Sequence, residues 1–439
     1  MKYKRSQFNN IIKYDENIIY YNSLYNSIFS VDNETHQKIA FVLNNPIIED
    51  SSIKTLLVKT KFLLEDNVDE LLVSELLHNE GKYTFDTLCI TIILSYNCNF
   101  NCFYCFQRET RKNERNVVFS KSSFDKLTEF ITERVTRYRF KKLDITWMGG
   151  EPLLFKEELK FYYSALKVLA KRLDIELYNL IISNGYLFDK DFFEFISKAE
   201  NMRVQITIDG PPDSHNKKRE HKKSENTFCR ILSNVETLIK MEVDTFIRIN
   251  IAHNEENYMS NIDELFGCFE QTSVAQKKGI VHIAKIEPII NNISEYSEKE
   301  FKAFSDIEFE IYKKYLTKDY LYIPKLKLTS GCRALGTYEY IVDPSGKIFK
   351  CPMHTQQEYC VGSINNFDLL DQNYLKWLAW TPFNKEKCKR CSILPICMGG
   401  CPFFDIYKSQ GNICSNIKLY YQNRVIIEYL RKTAYINNV

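Results

Sequence analysis

Cys98, Cys102 and Cys105 stand in the run Asn97-Cys98-Asn99-Phe100-Asn101-Cys102-Phe103-Tyr104-Cys105, with three and then two residues between them. Main chain this short can wrap one compact centre while all three thiolates converge on it, which is what a cuboidal iron-sulfur cluster requires. Three ligands for four irons leave one iron open to a small molecule that chelates through an amino group and a carboxylate. The nearest further cysteines, Cys89 and Cys229, lie outside any ligand-like spacing. Zinc is the other occupant that closely spaced cysteines suggest, and the triplet alone leaves it open.

With Tyr104 just before the third cysteine, the triplet resembles the signature of the radical S-adenosylmethionine (SAM) enzymes. The resemblance implies that the methionine part of SAM chelates the open iron and that an electron from the cluster splits SAM into a hydrogen-abstracting 5′-deoxyadenosyl radical. Three more segments follow in the family's order. Trp147-Met148-Gly149-Gly150-Glu151-Pro152 resembles the GGEP segment that binds the SAM amino group. Paired glycines let main chain approach a ligand closely, and a carboxylate accepts hydrogen bonds from an ammonium. Ser183-Asn184-Gly185 resembles a TNG segment, with Ser183 in place of Thr. Thr207-Ile208-Asp209-Gly210-Pro211, followed by His215 and Arg219, resembles the DGP segment of the branch acting on peptides and proteins. The resemblance implies cofactor contacts at Tyr104, Gly149, Gly150, Glu151, Ser183, Thr207 and Arg219. Each segment alone reads as a turn or loop. His215 reads as a surface or loop histidine. Arg248 and Asn250, alternating with isoleucines, either point into a barrel or satisfy local polar groups.

The elements that position these motifs alternate between two periodicities. Strands are expected over 87–94, 143–147, 178–182, 204–208, 245–251 and 280–286, with helices over 122–138, 156–171, 189–199, 227–241 and 258–270. Such alternation gives an α/β fold, a parallel sheet with right-handed crossovers. Six units over 86–290 make a partial (β/α)6 barrel, as in the radical SAM fold, with chemistry at the C-terminal ends of the strands. Each motif follows a strand.

Residues 1–85 form a separate small unit. Ile- and Tyr-rich segments at 10–14, 18–22 and 27–31 read as a short β-meander. N-cap oxygens at 32–35 precede a helix over 36–43, and further helices over 53–64 and 68–77 fit a winged-helix plan. The unit is either a cap or a module that takes a leader peptide as an added strand, resembling the precursor-recognition domains ahead of peptide-modifying radical SAM cores. Residues 291–329 form a bridge, mostly a helix over 297–315.

The last unit, 330–439, ends in a helix and carries Cys332, Cys351, Cys388, Cys391, Cys397, Cys401 and Cys414. Two short strands joined by Pro344-Ser345-Gly346 lie between the first two. This order matches the SPASM module, a carrier of two auxiliary 4Fe-4S clusters. The resemblance implies an outer cluster on Cys388, Cys391, Cys397 and Cys414, and an inner one on Cys332, Cys351 and Cys401 lacking a ligand. Cys360 or a substrate thiolate is expected in that vacancy; a pair of zinc knuckles is the alternative for the module. Cys89, Cys229 and Cys268 read as buried small hydrophobes.

The chain has 439 residues, 59 Lys and Arg against 56 Asp and Glu, and 14 cysteines. Two or three domains follow from the length, and the near-even charge favours no polyanionic partner. Neither a secretory h-region nor a run near the roughly 18 apolar residues of a membrane span is present, so a cytoplasmic protein in a reducing setting is expected. The implied cofactors are SAM and three 4Fe-4S clusters. The implied partners are a precursor peptide held by its leader and an electron donor such as flavodoxin or ferredoxin. The implied activity is hydrogen abstraction from a residue of a ribosomally made peptide to install a thioether or carbon-carbon crosslink. A formylglycine-forming sulfatase maturase is the alternative; those enzymes carry Asp just after the cysteine matching Cys351, where Pro352-Met353-His354 stand here. A non-catalytic metal-cluster scaffold that binds peptides is the alternative of another class.

Overall fold

The computed structural model describes residues 2–46, 51–84, 86–114, 116–223, 225–276, 279–286, 298–326, 331–408, 414 and 417–437. At the N-terminus, strand β1 is Tyr3–Arg5, and β2 (Asn9–Tyr14), β3 (Asn17–Asn22) and β4 (Ser27–Val31) form the expected antiparallel meander. Asp15 and Asn26 take left-handed φ values of 48° and 51° at its two turns, a conformation their short polar side chains tolerate. Helices Asn33–Asn44 and Ser52–Lys59 follow, each with its N-cap side chain accepting a main-chain N–H. The helix expected over 53–64 stops early, because Leu63–Glu65 is instead a strand, β5, paired antiparallel with β1. Lys61 breaks the helix at φ 64°, and Phe62 and Leu63 after it are fully buried. A short apolar run fits a buried strand or a helix equally well, which is why its pattern misled. Helix Glu70–Lys82 completes this part.

The next six strands are β6 (Thr87–Ile93), β7 (Lys142–Met148), β8 (Glu176–Ser183), β9 (Met202–Thr207), β10 (Asp244–Ile251) and β11 (Ile280–Lys285). All neighbours in this order are parallel. Strict alternation sets the two faces. In β7, Leu143, Ile145 and Trp147 are fully buried under helices, whereas Asp144 and Thr146 are half-buried on the other face. Helix Lys121–Tyr138 shows how the outer layer is built: Ser120 caps its start, Phe124, Leu127 and Ile131 are buried, and Arg139 ends it at φ 56°. The structure thus has the mixed α/β parallel sheet that the alternation predicts.

A chain-distant hairpin extends this sheet. Strand β12 (Glu339–Val342) pairs parallel with β6, followed by β13 (Lys347–Phe349) and β14 (Gly362–Ser363), giving nine strands in the order β11-β10-β9-β8-β7-β6-β12-β13-β14. The hairpin itself was legible; its seat beside β6 was not. Helix Ile417–Asn437 packs against helix Glu298–Lys314, where Arg424 and Glu308 form a buried ion pair at 2.6 Å. Among the described residues no helix is long and apolar enough to cross a membrane.

Candidate active site

The cysteine triplet leaves the end of β6, and the end of β7 is wedged directly beneath it. Gly149 and Gly150 have φ of 96° and 50°, and a Cβ on Gly150 would lie 1.9 Å from the Asn97 carbonyl oxygen. The glycines therefore let β7 touch the root of the cysteine loop, where Glu151 N–H donates to Asn97 O at 2.8 Å. Gly150 N–H donates to the Gln107 side chain, also at 2.8 Å, so the loop is tied at both of its ends.

Glu151 is wholly buried and its carboxylate serves the protein. It accepts from Leu153 N–H at 2.9 Å, from the Ser183 hydroxyl at 2.8 Å and from Asn184 N–H at 2.7 Å. Burial raises its pKa, and those three donors work against the rise. Ser183, expected as a cofactor contact, thus has its hydroxyl engaged with Glu151 and with Gly185 N–H. Asn184 reaches onward to Asn99 Oδ1 at 2.7 Å, inside the cysteine loop. Glu151 and Asn184 together lock three strand ends: the carboxylate joins β7 to β8, and the Glu151 N–H and the Asn184 side chain reach the loop after β6.

A second buried cluster grips the far side of the loop. Asp209, fully buried after β9, accepts from the Tyr104 hydroxyl, from Asn250 N–H at 2.9 Å and from Asn250 Nδ2 at 3.1 Å, and it pairs with Arg219 at 3.4 Å. Arg219 also donates to Tyr104 Oη at 2.6 Å. Burial opposes the Arg219 charge, but Cys102, Tyr104 and Asp209 around it hold its pKa well above the ordinary value. Arg219 Nε has no hydrogen-bond partner although it is buried. Arg248 Nε donates to Asn250 Oδ1 at 2.8 Å, so the alternating Arg and Asn of β10 support this cluster. Thr207, at the end of β9, is opposite Arg248 in register and mostly buried.

His215 is not a surface histidine. It is fully buried in helix Pro212–Lys218, and its Nδ1 accepts from Asp209 N–H at 3.2 Å. Burial, with Arg219 close by, pulls its pKa down to about 3, so it stays neutral. A helix formed by Pro-Asp-Ser-His behind the turn hides it, which composition could not foresee. Cys229 also departs from expectation, being exposed on helix Phe228–Lys240, while Cys89 and Cys268 are half-buried.

The cysteines gather as three sets. Burial pushes the Cys98 thiol up to about 12, with Glu151, Cys102 and Cys105 also opposing its ionisation. Burial likewise pushes Cys351 up to about 12 and Cys401 up to about 11; Cys332 and Cys401 face Cys351. Burial raises Cys388, with Cys397, Cys391 and Cys414 as its neighbours, and these four line a cavity of about 440 Å³. Cys360 joins none of the three: its thiol donates to Gly362 O at 3.1 Å, and it packs on Ile93, Tyr96, Ile341 and Phe349.

These sets suit clusters by their chemistry. Main-chain N–H groups face the sulfurs: Phe100 at 3.4 Å from Cys98 Sγ, Ala334 at Cys332, Met353 and His354 at Cys351, Phe403 and Phe404 at Cys401. Such donors favour thiolates that burial alone disfavours, and a bound cationic centre would complete the compensation. Among the described residues, no three His, Cys, Asp or Glu side chains are grouped to hold a single metal ion. Thiolates around a four-iron cluster stand further apart than those around one ion, so the two observations agree. Asp209, Asn184 and Gln107 were missed as site residues. The first two stood in the recognised segments; Gln107, two residues past Cys105, had no sequence signal.

Comparison with known proteins places this geometry. Residues 92–264 match the model of the Radical SAM superfamily. The chain is 24% identical over 371 residues to a cysteine-type anaerobic sulfatase-maturating enzyme of Clostridium novyi, covering 77% of this chain and 96% of that one. It is 22% identical over 453 residues to the radical SAM cyclopropyl synthase TigE of Paramaledivibacter caminithermalis, covering 93% of this chain and 91% of that one. Its fold is similar to native anSMEcpe with bound AdoMet and Kp18Cys peptide, at TM-score 0.63 and 18% identity over 80% of this chain and all of that one. Residues 92–264 are a radical SAM domain, and the chain is an enzyme built around it.

Proposed function

We propose that this enzyme takes a hydrogen atom from a residue of a ribosomally made peptide and so starts a crosslink, thioether or carbon-carbon. The observation that carries the reading is the placement of the three cysteine sets: one at the C-terminal ends of parallel strands, two in the unit seated beside β6. In this reading Cys98, Cys102 and Cys105 hold the SAM-binding cluster, Cys388, Cys391, Cys397 and Cys414 the outer auxiliary cluster, and Cys332, Cys351 and Cys401 the inner one. When bound, the first cluster and SAM supply the hydrogen-abstracting adenosyl radical. The chain's part is positioning: the Glu151 and Asp209 networks fix the loop, and Arg219, with its unpaired Nε, and Thr207 face the cofactor. Since Cys360 is engaged elsewhere, a substrate thiolate is the better fit for the inner vacancy.

Residues 1–85 serve as the peptide-recognition unit, winged-helix-like in outline, with β4 offering its outer edge to a leader strand. Residues 86–290 form the partial barrel, 291–329 the bridge and 330–439 the SPASM unit; an electron donor such as flavodoxin or ferredoxin completes the system. The sulfatase-maturase reading has its own support in the 24% identity to such an enzyme over most of its length.

The test is iron and labile sulfide per chain after anoxic reconstitution, with an assay for 5′-deoxyadenosine on adding reductant and SAM. About twelve irons, and SAM cleavage abolished by Cys98→Ala, Cys102→Ala or Cys105→Ala, would support the reading. Zinc, or iron without SAM cleavage, would support the scaffold instead. Mass spectrometry of a sulfatase-type Cys or Ser peptide after turnover would separate formylglycine formation from crosslinking.

A further inference from the structure

The loop between Cys391 and Cys397 is held from outside its own unit. Ser392, the residue after Cys391, accepts at its carbonyl oxygen from Asn10 Nδ2 at 3.2 Å and from the Ser23 hydroxyl at 2.5 Å. Its own hydroxyl donates to Asn10 Oδ1 at 2.6 Å. Asn10 lies on β2 and Ser23 just past β3, and both are buried, at 5% and 0% exposure.

Apolar contacts run beside these bonds. Ile393 and Ile396 pack with Ile12, Ile19 and Tyr21 of the meander, and Leu394 and Met398 with Phe8 and Leu24. Ile393 and Leu394 also line the cavity that holds Cys388, Cys391, Cys397 and Cys414. One layer of side chains separates the outer cysteine set from the meander.

We propose that the N-terminal meander is the back wall of the outer cysteine centre, with Asn10 and Ser23 as its positioning residues. Loading the four cysteines and ordering the meander are then one coupled equilibrium, and by linkage the coupling runs in both directions. The inference rests on the reading that those four cysteines hold a metal centre.

The experiment uses the full chain, anoxically reconstituted with iron and sulfide. Amide exchange over residues 9–22 is compared between the loaded protein and a Cys388→Ala/Cys391→Ala variant; about tenfold slower exchange in the loaded form is expected. In parallel, Asn10→Ala/Ser23→Ala loses about a third of the iron, the outer share, and the outer cluster's paramagnetic signal, while the SAM-cluster signal stays. Ser23→Thr keeps its hydroxyl and keeps the iron. Exchange over 9–22 that is indifferent to loading would overturn the proposal. So would full iron in the double variant, or iron lost evenly from every centre. If the four cysteines prove to bind zinc, the cluster reading fails, yet the same exchange comparison with zinc as the ligand still decides the coupling.

Discussion

The loop carrying Cys98, Cys102 and Cys105 is gripped by buried charge; the loop carrying Cys388, Cys391 and Cys397 is gripped by apolar packing and neutral hydrogen bonds. Around the first, Glu151 and the Arg219–Asp209 pair are buried; Glu151 and Asp209 follow strands of the same sheet, and Arg219 ends helix Pro212–Lys218. Around the second, the partners Asn10 and Ser23 come from the far end of the chain, and of the charged residues beside Cys388, Arg390 and Glu386 are 85% and 70% exposed. A charge network at the strand ends holds the loop rigidly but collapses when one member is lost. An apolar wall gives way by smaller steps.

The largest break of that contrast is Gly150→Ala. With φ 50° and a Cβ 1.9 Å from Asn97 O, there is no flexible side chain to yield, so the cysteine loop must move. A stability loss of at least about 3 kcal/mol and near-complete loss of iron from the first centre are expected, read by denaturant unfolding and iron analysis. Arg219→Met comes next: it leaves Asp209 buried and unpaired, an effect of about 3–5 kcal/mol. Asp209→Asn/Arg219→Met should be milder than the sum of the two single changes, which a double-mutant cycle of melting curves checks.

The hairpin between the two regions offers a pH test. Asp343 is 1% exposed, and burial pushes its pKa up to about 6 despite N–H donors at Lys347 and Ser345. Its folded-state value lies above the unfolded one, so the folded chain binds the proton more tightly. Stability from this group is full below about pH 4 and falls, by up to about 3 kcal/mol, as pH rises to about 6. Asp343→Asn should remove that slope from the difference between the two melting profiles. The smallest effect belongs to Arg390→Ala: its pair with Glu386 is long, at 3.9 Å, and solvent-exposed. Melting should shift by no more than about 1 °C.

Much of this was legible in residue order. The strands alternate buried and half-buried positions as a parallel sheet demands, and Cys98, Cys102 and Cys105 stand together in one short loop. Charge networks were less legible. The hydrogen bonds from Ser183 and Asn184 to Glu151 were not foreseen, because a carboxylate and a hydroxyl beside glycines look alike whether or not they also join neighbouring strand ends. His215 read as exposed because nothing local shows that a turn folds back over it.

Local sequence, then, determined the elements, the cysteine triplet Cys98, Cys102 and Cys105 and the order of motifs along the strand ends, since these depend on spacings of a few residues. Tertiary structure alone decided that β12 sits beside β6, that Gly150 lies against the Asn97 carbonyl, and that Asn10 holds Ser392. Contacts between residues hundreds of positions apart leave no periodicity in either segment. They arise only when two apolar faces, each legible as a face, choose one another over water.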